Sequence, residues 1–150
     1  MQATWEQRQR AVRARIVGHH FSSSPVLILA ACTSDQYDVV LRDAQQALAS
    51  VAAQNPNRRF LEDFTKRTRE DATDLAILDA SAKDLLGFVS INTHIMQLVY
   101  VVTAHRRRGG ALAVSLWLHG ELEALGADPL EVLAVTDAMK DLLEKLARIP

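Results

Sequence analysis

The residues best suited to do chemistry stand together in the last third of the chain: Thr103, His105, Arg106, Arg107, Arg108, Gly109 and Gly110. Three guanidinium groups supply full positive charge, and two glycines let a ligand come close to the backbone. Ahead of them, residues 98–102 (Leu-Val-Tyr-Val-Val) form an apolar, β-branched run fit for a buried strand. Behind them, residues 111–125 read as a helix, with Leu112, Leu116, His119, Leu122 and Leu125 near one face and Gly126 as its stop. A helix start leaves N–H groups unpaired and carries partial positive charge. Strand, basic glycine turn and helix in that order make a seat for a phosphate or pyrophosphate.

Two familiar glycine loops fail the comparison. The P-loop needs a Gly-Lys-Ser/Thr ending, which is absent, and the dinucleotide fingerprint needs three spaced glycines where this chain has an adjacent pair. A third pattern fits. With Arg106, Gly109 and Ala111 at the spacing Gln/Arg-x-x-Gly-x-Gly/Ala, the stretch resembles the signature of the GNAT superfamily, the acyl-CoA-dependent N-acyltransferases. The resemblance implies that Arg106, Arg107, Arg108, Gly109, Gly110, Ala111 and Leu112 hold the pyrophosphate of coenzyme A. It implies too that Val101 and Val102, at the end of the preceding strand, meet the acyl group.

Composition sets the outer bounds. A chain of 150 residues, 49% hydrophobic and 23% charged, suits one globular domain with a sizeable core. Its net charge of −1 argues against a general nucleic-acid binder. No apolar run is long enough to span a bilayer, and the first residues lack the apolar core of a signal peptide, so a cytoplasmic protein is expected. The single cysteine, Cys32, lies in an apolar run and reads as a core thiol. No metal site is expected: His19 and His20 are adjacent, and adjacent side chains do not face one ion from a regular element.

The remaining elements follow from periodicity and caps. Thr4 and Gln7 form a capping box for a basic helix that carries Arg8, Arg10, Arg13 and Arg15, with Trp5, Val12 and Ile16 expected to pack inward. Residues 18–25 read as a loop. Residues 26–32 form a buried strand, and Thr33 with Gln36 caps a helix whose Tyr37, Val40, Leu41, Ala44, Leu48 and Val51 recur at helical spacing. A short helix follows, with Phe60, Leu61 and Phe64 inward and Lys66, Arg67 and Arg69 expected on its wet face. Strands are expected at 75–78 and 85–91, with Gly87 at a bulge, then a turn at Asn92, Thr93 and His94 into the 98–102 strand. Short connections make these three strands antiparallel neighbours. A strand at 130–135, arriving after a helix, is expected to run parallel to 98–102. Thr136 and Asp137 then cap a last helix.

The expected fold is therefore α/β (α+β): one domain over residues 1–150, a mixed central sheet flanked by helices, with residues 1–20 a basic helical N-terminal extension. That order resembles the GNAT layout over residues 26–146, without the family's usual C-terminal strand pair. An uncovered strand edge is a liability, so a homodimer is expected. The resemblance implies acyl transfer, usually of acetyl from acetyl-CoA, to an amine acceptor of unknown identity, with the oxyanion held by backbone N–H groups near residues 100–102. His94 and Tyr100 are the expected catalytic residues, His94 for its intrinsic pKa range and Tyr100 as a proton donor. The place of the family's usual tyrosine acid falls near Leu143, which cannot donate. Two other readings stay open. One is a non-catalytic acyl-CoA-binding or interaction module with the same fold. The other, not favoured, is nucleic-acid association through the N-terminal arginines. No membrane partner is expected.

Overall fold

A computed structural model describes residues 4–17, 20–21, 27–55, 58–79, 84–105, 120, 122–123 and 131–132. Three helices and six strands are defined within them. The helices are α1 (Trp5–Ile16), α2 (Ser34–Ser50) and α3 (Arg58–Thr65). The strands are β1 (His20–Phe21), β2 (Leu27–Ala31), β3 (Asp74–Asp79), β4 (Leu85–Asn92), β5 (Ile95–Val101) and β6 (Glu131–Val132). One sheet orders them β1-β2-β3-β4-β5-β6. Every neighbouring pair is antiparallel except β5 and β6, which are parallel through Ile95 opposite Glu131 and Met96 opposite Val132. The fold is mixed α/β, and the parallel pair arises because helical chain intervenes before β6, as Gly120, Leu122 and Glu123 show.

Helix starts follow the sequence closely. Thr4 accepts from the Gln7 N–H while the Gln7 side chain accepts from the Thr4 N–H, and Thr33 and Gln36 repeat the device on α2. From α2 the buried Tyr37, Val40 and Ala44, and from α3 the buried Leu61 and Phe64, meet one face of the sheet. They pack there on Ala76, Phe88, Leu98 and Tyr100, with Cys32 in the same cluster. The alternate strand positions Leu27, Leu29, Leu75, Ile77, Val89 and Ile91 are buried as well, so the sheet has two covered faces.

Several elements depart from expectation. A short strand, β1, stands in what reads as loop, and it covers the outer edge of β2. The strand expected at 98–102 begins at Ile95, because Thr93 and His94 alone make the turn and Thr93 takes φ of 53°. Opposite Ile77 and Leu78 the register skips Leu86, which places the expected bulge beside Gly87. A Cβ at Gly87 would collide with the Tyr100 carbonyl oxygen, so close backbone approach explains the glycine.

Two side-chain expectations are overturned. Trp5 is 41% exposed rather than packed inward; its indole N–H donates to Asn92 Oδ1. The residue that faces the sheet in its place is Gln9, which is buried. Its amide donates to the Ile91 carbonyl (2.7 Å) and the Ala72 carbonyl (2.9 Å) and accepts from the Thr93 N–H. Through these bonds α1 is clamped to the β4–β5 turn. Arg67 is the second correction. It lies past the end of α3 and turns in toward the sheet, where it pairs with the buried Asp74. Lys66 remains exposed, and Arg69 bonds the Cys32 carbonyl at 3.1 Å and Asp71.

Candidate functional site

Strand β5 precedes in sequence the stretch that carries Arg106 to Gly110, and its last residues are held from three directions. The Tyr100 ring, 3% exposed, stacks on Phe64 with centroids 5.2 Å apart and planes at 9°. Its hydroxyl donates to Asp43 Oδ2 on α2 at 2.7 Å. Past the strand, the Val102 N–H donates to the Leu86 carbonyl at 2.9 Å. Thr103 opens a single 3-10 turn, Thr103–His105, and both its N–H (3.1 Å) and its Oγ1 (3.0 Å) donate to the same Asp43 oxygen. Asp43 therefore acts on this turn as a capping carboxylate acts on a helix, meeting unpaired N–H and positive dipole with negative charge.

The other expected residues distribute as follows. Val101 and Val102 are half-buried at the strand's end. His94 sits in the β4–β5 turn, half-buried, with its Nδ1 3.3 Å from Thr93 Oγ1. Tyr100 lies six residue steps further along β5, about 20 Å away at roughly 3.3 Å per residue. The two expected catalytic residues thus stand at opposite ends of β5 and do not form one centre. Arg106, Arg107, Arg108, Gly109, Gly110, Ala111 and Leu112 lie outside the described residues, as does Leu143. Of the helix expected after the turn, Leu122 is buried, in keeping with its place on the apolar face.

A second polar cluster, missed in the sequence, lies beneath α3. Arg67 makes two bonds to Asp74, Nη1 to Oδ2 at 2.8 Å and Nη2 to Oδ1 at 2.6 Å, and the Asp74 side chain has no exposed surface. Asp74 also accepts from the Glu70 N–H (2.7 Å) and Thr73 Oγ1 (3.2 Å). The guanidinium lies over the rings of Phe88 (5.3 Å) and Tyr37 (5.9 Å), donates to the Tyr37 hydroxyl and reaches Ser90 Oγ at 3.4 Å. Burial opposes its charge, but the bonds from Asp74 and Tyr37 outweigh burial and hold its pKa above the ordinary value. Burial raises the Tyr37 phenol, partly offset by Arg67. Cys32 is pushed up to about 11, first by burial and then by the charge of Asp74. A thiol so placed is no nucleophile near neutral pH, and the core reading of Cys32 stands.

The signals for both acids were weak but present. Asp74 opens an otherwise apolar strand, Asp-Leu-Ala-Ile-Leu. Asp43 is one residue from Ala44, on the margin of the apolar face of α2. Among the described residues no three His, Cys, Asp or Glu side chains come together to hold a metal ion, and no helix is long and apolar enough to cross a membrane.

No family model matches the sequence, and no curated protein does. Solved structures do. An acetyltransferase (GNAT family) from Bacillus anthracis shares 9% identity over 73% of this chain and 69% of its own, with a TM-score of 0.45. A predicted acetyltransferase with acetyl-CoA from Clostridium acetobutylicum shares 8% identity over 83% of this chain and 90% of its own, with a TM-score of 0.47. Both are likenesses of fold alone, and at these scores they lend no weight to an activity.

Proposed function

We propose that the chain is an acyl-CoA-dependent N-acyltransferase that moves an acyl group, acetyl in the first instance, to an amine acceptor. The observation that carries this reading is the unit built on β5. A strand ends in a pinned turn, runs into Arg106, Gly109 and Ala111, and is followed by helical residues and a parallel strand. In the reaction the neutral amine attacks the thioester carbonyl, the N–C bond forms and the C–S bond breaks. The amine's proton passes to a base or water, and coenzyme A leaves as thiolate. Donors near residues 100–102 would serve the oxyanion. A cytoplasmic homodimer belongs to the same reading.

Calorimetry with coenzyme A and acetyl-CoA tests the binding half. Wild type is expected to bind, and Gly109→Val is expected to lose most of that affinity, because a branched side chain blocks close approach to the backbone. Unchanged affinity in that variant would remove the assignment of this turn. Turnover of acetyl-CoA with a panel of primary amines tests the catalytic half.

One observation favours a second reading, a non-catalytic acyl-CoA-binding module. Leu143 offers no proton, and the Tyr100 hydroxyl already donates to Asp43, so neither stands ready to serve a leaving thiolate. Tight binding without turnover of any amine would select it.

A further inference from the structure

The carboxylate of Asp43 gathers three donors on one oxygen. Two come from Thr103, two residues past the end of β5, and one from Tyr100, the last buried residue of β5. The platform behind it is stiff. Asp43 lies within the 17 residues of α2, whose start is fixed by the Thr33–Gln36 box and whose Tyr37, Val40 and Ala44 are buried on either side of it in sequence. Bonds to a charged oxygen are stronger than neutral ones, and three on one atom fix direction as well as distance. Across this point the chain changes from a strand clamped on both faces to residues 106–112. The point and direction in which the chain leaves β5 are set at Thr103.

We infer that Asp43 is a positioning residue for the basic glycine turn, holding its entry in register with β5 so that the backbone groups beyond it meet the pyrophosphate of an acyl-CoA. The inference rests on the acyl-CoA reading for its ligand but not for its mechanical content. Asp43 touches neither substrate nor reacting atoms in this account. It acts through Thr103, and it also occupies the Tyr100 proton, which ties the acyl end of the strand to the phosphate end of the turn. A helix residue 60 positions earlier in the chain thus fixes the start of the Thr103–His105 turn.

Two readouts on the intact protein test this together: hydrogen exchange followed by mass spectrometry on peptides spanning 103–112, and coenzyme A affinity by calorimetry. In Asp43→Ala, exchange of that segment is expected to speed up roughly tenfold while the α2 peptides keep their rates, and affinity is expected to fall roughly tenfold. Asp43→Asn keeps an acceptor oxygen and should stay within about threefold of wild type in both. Thr103→Val keeps the N–H and removes one donor, so its change should have the same sign and be smaller. Asp38→Asn, on an exposed part of α2, should match wild type. With an active acceptor, the KM for acyl-CoA should rise while kcat changes by less than about twofold. If wild type shows no affinity for coenzyme A yet Asp43→Ala still loosens 103–112 selectively, the acyl-CoA reading falls and the positioning role stands. The inference is overturned if Asp43→Ala keeps wild-type exchange and affinity, or if α2 loosens along with the turn.

Discussion

Arg67 shows how far a single side chain can depart from its apparent role. In the sequence it is one of three cations trailing a short helix, and a charge there ordinarily faces water. Its partner settles otherwise. Asp74 is fully buried, and an uncompensated carboxylate in that position is costly. Removing the guanidinium is therefore expected to destabilise the protein by about 3–5 kcal/mol, and urea unfolding of Arg67→Ala should show it. Arg67→Lys should recover part of the loss, since an ammonium restores charge but cannot reproduce the two-pronged contact. Cys32 leads to a prediction about alkali. Its folded-state pKa, about 11, lies above the ordinary 9.0, so the unfolded chain gives up this proton first as pH rises. The unfolded state then binds fewer protons than the native one, and stability falls with pH. The contribution is whole below pH 9 and is lost between there and about 11. Thermal melts across that window should drop less steeply in Cys32→Ala than in wild type. The residual drop is expected from Tyr37, whose raised pKa acts with the same sign.

At the scale of elements, what was legible in the sequence was local. Both capping boxes are contained in four residues, and each is found where the threonine and glutamine place it. Thr33→Ala is expected to cost about 1 kcal/mol, read as a shift in the denaturant midpoint with unchanged slope. The apolar runs and the helical repeat of α2 were legible for the same reason, since period and length are carried by neighbouring residues. The features that escaped depend on distant partners. Two residues of β1 carry no pattern and become a strand only because β2 lies beside them. β5 starts three residues before the expected 98 because Thr93 accepts a left-handed conformation, with its N–H held by Gln9 from 84 positions away. The candidate site divides along the same line. The Arg106, Gly109 and Ala111 spacing can be read directly, whereas Asp43 and Tyr100 are joined only once α2 packs against the sheet.

For the whole molecule, the sheet's order repeats the order of the chain from β1 to β6. The pairings of β3, β4 and β5 are legible in the sequence for this reason: consecutive strands are spatial neighbours, and short connections make them antiparallel. The first helix breaks that economy. Its buried Gln9 finds its partners at Ile91 and Thr93, 82 and 84 residues downstream. During synthesis at about 5–20 residues per second, an arginine-rich helix would wait on the order of 4–16 seconds before its docking surface exists. The sheet can assemble step by step as the chain lengthens, whereas α1 is made long before the β4–β5 turn that secures it.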